Sequence, residues 1–167
     1  MADRKIIITV APSSNFQGKE ANPAIPYTPE EIAEQVYGAW NAGASLAHMH
    51  ARDRNGIQTN DVKVFREINA AVRDKCDIII QNSIAPALGP NPGTAEDGLQ
   101  VLDAGAEMSS IDMGISVVVN RGKTVIIEWT REFLRKAAKM ITERGIKPEM
   151  EIFNDSNMDD ALMLINE

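Results

Sequence analysis

Ser45-Leu46-Ala47-His48-Met49-His50-Ala51 is a short apolar run interrupted twice by histidine. Its length, and the polar stretch Arg52 to Asp61 that follows with an Asn55-Gly56 pair, read as a strand running into a turn. Upstream, Thr28-Pro29-Glu30-Glu31 announces a helix. Thr28 is the N-cap, Pro29 sits at the first helical position where no N–H is needed, and Glu31 completes a capping box. Ile32, Val36, Ala39 and Trp40 recur at helical spacing, and Gly43 supplies the stop. Before the helix, a Ser/Asn/Gly/Pro-rich loop from Pro12 to Tyr27 follows Lys5-Ile6-Ile7-Ile8-Thr9-Val10-Ala11, a β-branched run of the kind buried on both faces of a parallel sheet.

The alternation continues downstream. Val62, Phe65, Ile68, Asn69 and Val72 mark a second helix, and Asp77 to Asn82 a third strand. A Gly/Pro-rich loop from Ala85 to Gly93 leads to Thr94, which caps a short helix ending near Gly105; Met108 to Met113 is a fourth strand. Val117 to Ile127 has the form of a hairpin turning at Asn120 to Lys123. Thr130 caps a helix carrying Phe133, Leu134, Ala137 and Ile141, stopped at Gly145. Glu149 to Phe153 is a fifth strand, and Asn157 opens a last helix through Ala161, Leu162 and Ile165. Strand alternating with helix is the signature of βαβ units around a parallel sheet. No linker or low-complexity tract divides residues 1–167, which are read as one domain.

Composition narrows the function classes. The 167 residues are 44% hydrophobic and 25% charged, an ordinary globular balance that disfavours disorder. The formal net charge of -7 argues against nucleic acid or an anionic membrane as a partner. No apolar stretch is long enough to span a bilayer, and Met1-Ala2-Asp3-Arg4 does not start a signal peptide. The single cysteine, Cys76, cannot form an internal disulfide, so a cytoplasmic location is expected.

The chain's two histidines are His48 and His50. Strand side chains alternate, so i and i+2 share a face. Two imidazoles near a strand's C-terminal end form half of a metal site, since catalytic Zn²⁺ takes three protein ligands and keeps one position open. The competing reading is a pair of hydrogen-bonded core histidines. Glu149, Glu151 or Asp112 could complete the ligand set, and each is equally explained by ion pairs with Lys147, Arg144 or nearby loops. Ser83 and Ser110, at or inside strand ends, can hydrogen-bond a substrate oxygen or cap a turn. Arg52 can grip a substrate carboxylate with its guanidinium fork, or pair with Asp53 or Asp61. No Gly-x-Gly-x-x-Gly or Walker loop occurs, and with both histidines on one strand a serine–histidine triad is poorly supported.

Three blocks carry a family resemblance: Ile8 to Pro12, Asn22 to Ala33 and Ala42 to Asp53, followed in order by Ile78 to Ser83, Met108 to Gly114 and Lys147 to Phe153. Together they resemble the β-keto acid cleavage enzymes, the 3-keto-5-aminohexanoate type among them, over nearly the whole chain. The resemblance implies a (β/α)₈ TIM barrel with a catalytic Zn²⁺ held by His48 and His50. It also implies substrate contacts from Ser83 and Ser110, and acetyl-CoA as co-substrate. The implied reaction converts a β-keto acid and acetyl-CoA into acetoacetate and a new CoA thioester. A full barrel needs about 250 residues; this chain offers about five of eight βα units, an incomplete barrel. The family's glutamate ligand, and the aspartate and arginine beside it, are expected beyond Glu167. The catalytic residues are therefore not assigned, and the chain alone is expected to lack strong cleavage activity. The stretch from Val117 to Ile127 is unlike the family's usual segment there.

Other readings stay open at the level of sequence. One is an inactive or incomplete barrel fragment acting as an interaction partner. Another is a different metal-dependent lyase or hydrolase built on the same two histidines. A third is a five-stranded flavodoxin-like domain binding a small ligand at its switch point. An unclosed barrel exposes two strand edges, so a homo-oligomer is expected.

Overall fold

The computed structural model describes residues 5–120 and 122–167; Met1 to Arg4, and Arg121 in the expected hairpin turn, lie outside the described residues. The elements in chain order are β1 (Thr9–Val10), α1 (Pro29–Asn41), β2 (Leu46–Met49), β3 (Ala51–Arg52), β4 (Gln58–Thr59), α2 (Val62–Arg73), β5 (Ile79–Ser83), α3 (Ala95–Gly98), β6 (Met108–Asp112), β7 (Ile115–Asn120), β8 (Lys123–Glu128), α4 (Arg131–Glu143), β9 (Lys147–Glu151) and α5 (Asp155–Asn166). A 3-10 segment, Leu99–Ala104, extends α3 and ends at Gly105, whose φ of 82° is left-handed.

The caps behave as their chemistry dictates. Thr28 accepts from Glu31 N, and Glu31 returns the bond to the cap backbone. Thr130 accepts from Phe133 N at 3.2 Å. The last helix begins two residues earlier than its apolar spacing suggests, because Asn154 accepts from the N–H groups of both Ser156 and Asn157.

Five parallel strands form one sheet in the order β1-β2-β5-β6-β9, which is their order along the chain. Right-handed crossovers that always advance in one direction place every helix on the same side. That side holds the core: Ala47, Met49, Ile80 and Ile111 pack with Ile32, Val36, Phe65, Ile68, Leu134 and Ala137. A flavodoxin-like sheet is ruled out, since it would run 2-1-3-4-5 with helices on both faces. The arrangement is a TIM-barrel-like arc, unclosed among the described residues: β1 pairs only with β2, and β9 only with β6.

Two expectations need correction. The run Lys5 to Ala11 is not a strand buried on both faces. Only Thr9–Val10 pair, and Ile6, Ile7 and Ile8 are 84%, 73% and 52% exposed, because β1 is an edge with one neighbour. The polar turn region after His50 is itself a small hairpin, in which Ala51 pairs with Thr59 and Arg52 with Gln58. The expected second hairpin forms as β7–β8. No helix among the described residues is long and apolar enough to cross a membrane.

Candidate functional site

Strand register brings the polar residues together. His48 pairs with Gln81, Ser83 with Ser110, Ser110 with Glu149, and Asp112 with Glu151. Paired residues on neighbouring strands face the same way, so all of these, with His50, line the sheet face turned away from the helices. The other face carries the apolar Ala47, Met49, Ile80 and Ile111, with Asn82 and Ser109 buried among them. This division puts the chemistry on the concave side, at the C-terminal ends of the strands, where βα loops can reach it.

The two histidines meet there. Their Nε2 atoms are 3.3 Å apart, and the rings cross at 72° with centroids 5.0 Å apart. Nδ1 of His48 lies 2.8 Å from Oε1 of Gln81, whose Nε2 donates to Glu149 at 3.0 Å. The backbone of His50 is pinned by Ser13, whose Oγ accepts from His50 N at 3.0 Å and donates to His50 O at 2.7 Å. Burial, with His48 and Arg52 close by, pulls His50 down to about 3, so its imidazole is neutral at physiological pH.

A cavity of about 570 Å³ opens beside His50, bounded by Asn15, Ser83, Asp112, Glu151 and Asn154, with Ile115, Val117 and Ile127 of the β7–β8 hairpin as an apolar wall. Its rim is tied down by side-chain amides. Asn15 donates to Pro86 O at 2.8 Å and accepts from Leu88 N, and Asn60 donates to Ala85 O and accepts from Ala87 N. Gln58 donates to the carbonyls of Asn15 and Phe16. Asp112 is pushed up to about 7, first by burial and then by the carboxylate of Glu151. Two carboxylates near one another in a poorly solvated wall cannot both ionise cheaply, so Asp112 keeps its proton far above the usual range.

Ser83 lines the cavity, and its Oγ accepts from Ala85 N at 3.2 Å. Ser110 is fully buried, and its Oγ has no hydrogen-bond partner among the described residues. Arg52 is placed differently from the sequence expectation. It is outside the cavity lining, 5% exposed, with its guanidinium donating to the carbonyls of Gly56, Ser14 and Gln17 and lying 4.8 Å from the Tyr27 ring centroid. The fork offered to a substrate carboxylate thus clamps the β1–α1 loop to the small hairpin. Arg144, a candidate partner for Glu149 and Glu151, pairs with Asp103 at 2.8 Å instead.

As metal donors, two imidazole nitrogens 3.3 Å apart fit two corners of a tetrahedron. With zinc–nitrogen bonds of about 2.05 Å, that separation corresponds to an angle of about 107°. No group of three His, Cys, Asp or Glu side chains able to hold a metal occurs among the described residues. Glu149 faces Gln81, so the third-ligand role considered for it has no support here.

Sequence reasoning passed over Gln81 and Ser13. The signal for Gln81 was present: it is the first polar residue after the apolar Ile78-Ile79-Ile80, two residues before Ser83 and so on the same face. For Ser13 there was none, since its partner lies 37 residues away.

An open arc of βα units with two histidines at a strand end is a TIM-barrel-like arrangement, and the comparisons give the family. The family model for the beta-keto acid cleavage enzyme matches residues 5–167, and the chain belongs to that family. It is 40% identical over 159 residues to a 3-keto-5-aminohexanoate cleavage enzyme of Fusobacterium nucleatum subsp. nucleatum, covering 95% of this chain and 56% of the relative. It is 29% identical over 144 residues to a 3,5-dioxohexanoate:acetyl-CoA acetone transferase of Paraburkholderia graminis, covering 83% and 46%. The chain therefore spans about half the length of these curated relatives. A solved ternary complex of ObcA with a C4-CoA adduct and oxalate shares the fold, with a TM-score of 0.69, 23% identity and coverage of 86% of this chain and 34% of that one.

Proposed function

We propose that this chain forms the zinc- and substrate-binding part of a β-keto acid cleavage enzyme that exchanges a β-keto acid with acetyl-CoA. The C2–C3 bond of the keto acid breaks and its R–CO acyl group passes to CoA sulfur, while the carboxymethyl fragment left behind bonds to the acetyl carbon released from acetyl-CoA, giving acetoacetate. The observation that carries this reading is the convergence of His48 and His50 Nε2 at 3.3 Å beside the cavity. Family membership supports the reaction class, and the acetyl-CoA in a relative's name supports the co-substrate.

When bound, Zn²⁺ supplies Lewis-acid polarisation of the substrate ketone. The chain's own residues do the rest. The hydroxyl of Ser83 donates to a substrate carboxylate or carbonyl oxygen; that of Ser110 lies one strand over, buried and outside the cavity lining. Asp112, protonated up to about pH 7, presents an O–H donor to the same cavity. Arg52 acts at one remove, fixing the loop that carries Ser13 and Asn15. The hairpin supplies an apolar wall beside the reacting carbons.

The unpaired edges of β1 and β9 and the exposed Ile152, Phe153, Leu162 and Ile165 support a homo-oligomer as the working form. The buried free thiol of Cys76 suits a reducing cytoplasm. The test is zinc content by elemental analysis of the purified chain and of His48→Ala and His50→Ala, with acetoacetate release followed from a panel of β-keto acids with acetyl-CoA. Zinc held by the wild type and lost in both variants supports the reading. A chain that stays metal-free in excess Zn²⁺ overturns it.

A further inference from the structure

We propose that Gln81 and Glu149 are positioning residues that hold His48 in its Nδ1–H tautomer, so that its Nε2 lone pair is aimed at His50 before any metal arrives. The proposal rests on the zinc reading for its purpose, but not for its geometry.

Donors and acceptors link three strands, from His48 on β2 through Gln81 on β5 to Glu149 on β9. A carboxylate only accepts, so the end of Gln81 that meets Glu149 at 3.0 Å is the NH₂ group. The carbonyl end of the same amide is then the one 2.8 Å from His48 Nδ1. A carbonyl also only accepts, so His48 Nδ1 must carry the hydrogen. In a neutral imidazole this leaves Nε2 unprotonated. The hydrogen in the 3.3 Å contact between the two rings therefore belongs to His50, and a metal would replace it. Gln81 is fully buried, which denies its amide a solvent partner that would let it turn over. His48 and Gln81 are directly paired across β2 and β5, while Glu149 stands on β9, with the small Ser110 of β6 as its register partner. A histidine ligand whose second nitrogen is held in this way loses less freedom on binding and meets the metal with the correct tautomer.

The experiment uses the metal-stripped chain with ¹⁵N-labelled histidine. Long-range ¹H–¹⁵N correlation distinguishes protonated from bare ring nitrogens, and with two histidines the assignment needs only His50→Ala. The wild type is expected to show Nδ1 protonated and Nε2 bare at His48. Gln81→Leu should release the ring to a tautomer mixture and weaken Zn²⁺ binding about 10- to 100-fold. Glu149→Gln, which keeps bulk but lets the Gln81 amide face either way, should do the same to a smaller degree and serves if Gln81→Leu fails to fold. The double variant Gln81→Glu/Glu149→Gln restores an acceptor to His48 and a donor behind it, and should recover the wild-type tautomer.

An unchanged His48 tautomer in folded Gln81→Leu or Glu149→Gln overturns the proposal, whatever the zinc affinity. A wild type that shows the fixed tautomer, loses it in the variants and yet binds no Zn²⁺ sinks the zinc reading and leaves the relay standing.

Discussion

Asp112→Asn should stabilise the protein, and increasingly so as pH rises. The carboxyl of Asp112 ordinarily titrates at 3.8 and is held at about 7 by burial and by Glu151. Between those values the native state keeps a proton that the unfolded chain has released. Stability therefore falls as pH rises through that window, and the full penalty is present above about pH 7. At 1.36 kcal/mol per pKa unit, the ionised native form is disfavoured by about 4 kcal/mol, of which about 1.5 is already felt at pH 5. Asparagine keeps the shape and drops the charge. The gain from Asp112→Asn should thus be about 2–3 kcal/mol larger at pH 8 than at pH 5, before relaxation of the wall reduces it. Urea unfolding of both proteins at a series of pH values reads this directly, and taking the difference cancels the titrating groups that do not interact with Asp112. Glu151→Gln should move the step in the wild-type curve to lower pH by removing the neighbouring charge. A gap that stays flat with pH would refute the reasoning.

Other consequences follow from packing and caps. Gly98→Ala should cost about 3 kcal/mol, measured by urea midpoint, because a Cβ there would overlap the Ile84 carbonyl oxygen, and main chain cannot turn aside. Arg52→Ala should cost about 2–3 kcal/mol and raise hydrogen exchange in residues 13–18; Arg52→Lys should rescue little, since one ammonium cannot span three carbonyls. Thr130→Ala should cost about 1 kcal/mol with the fold intact by circular dichroism, the loss of one N-cap bond at the start of α4.

Local signals in the sequence set out much of this molecule. The caps at Thr28 and Thr130, the stop at Gly105 and the apolar spacing of the helices act within one or two turns of chain. They were readable because hydrogen bonds and periodicity at that range need no knowledge of what lies elsewhere. The His48/His50 pair was readable for the same reason: alternation along a strand is a local rule. The tertiary structure alone decided the rest. Strand order, which separates a barrel-type arc from a flavodoxin-like sheet, depends on which way each crossover advances, and no residue encodes that by itself. Ile6 to Ile8 look like core and lie exposed, because burial belongs to the neighbours a strand has and not to its composition. Gln81 meets His48 across 33 residues and Glu149 across 68, and Asp112 feels Glu151 only through β6–β9 register. Those contacts exist because packing the helices against one face leaves His48, Gln81, Ser110, Asp112, Glu149 and Glu151 on the other, where register chooses their partners.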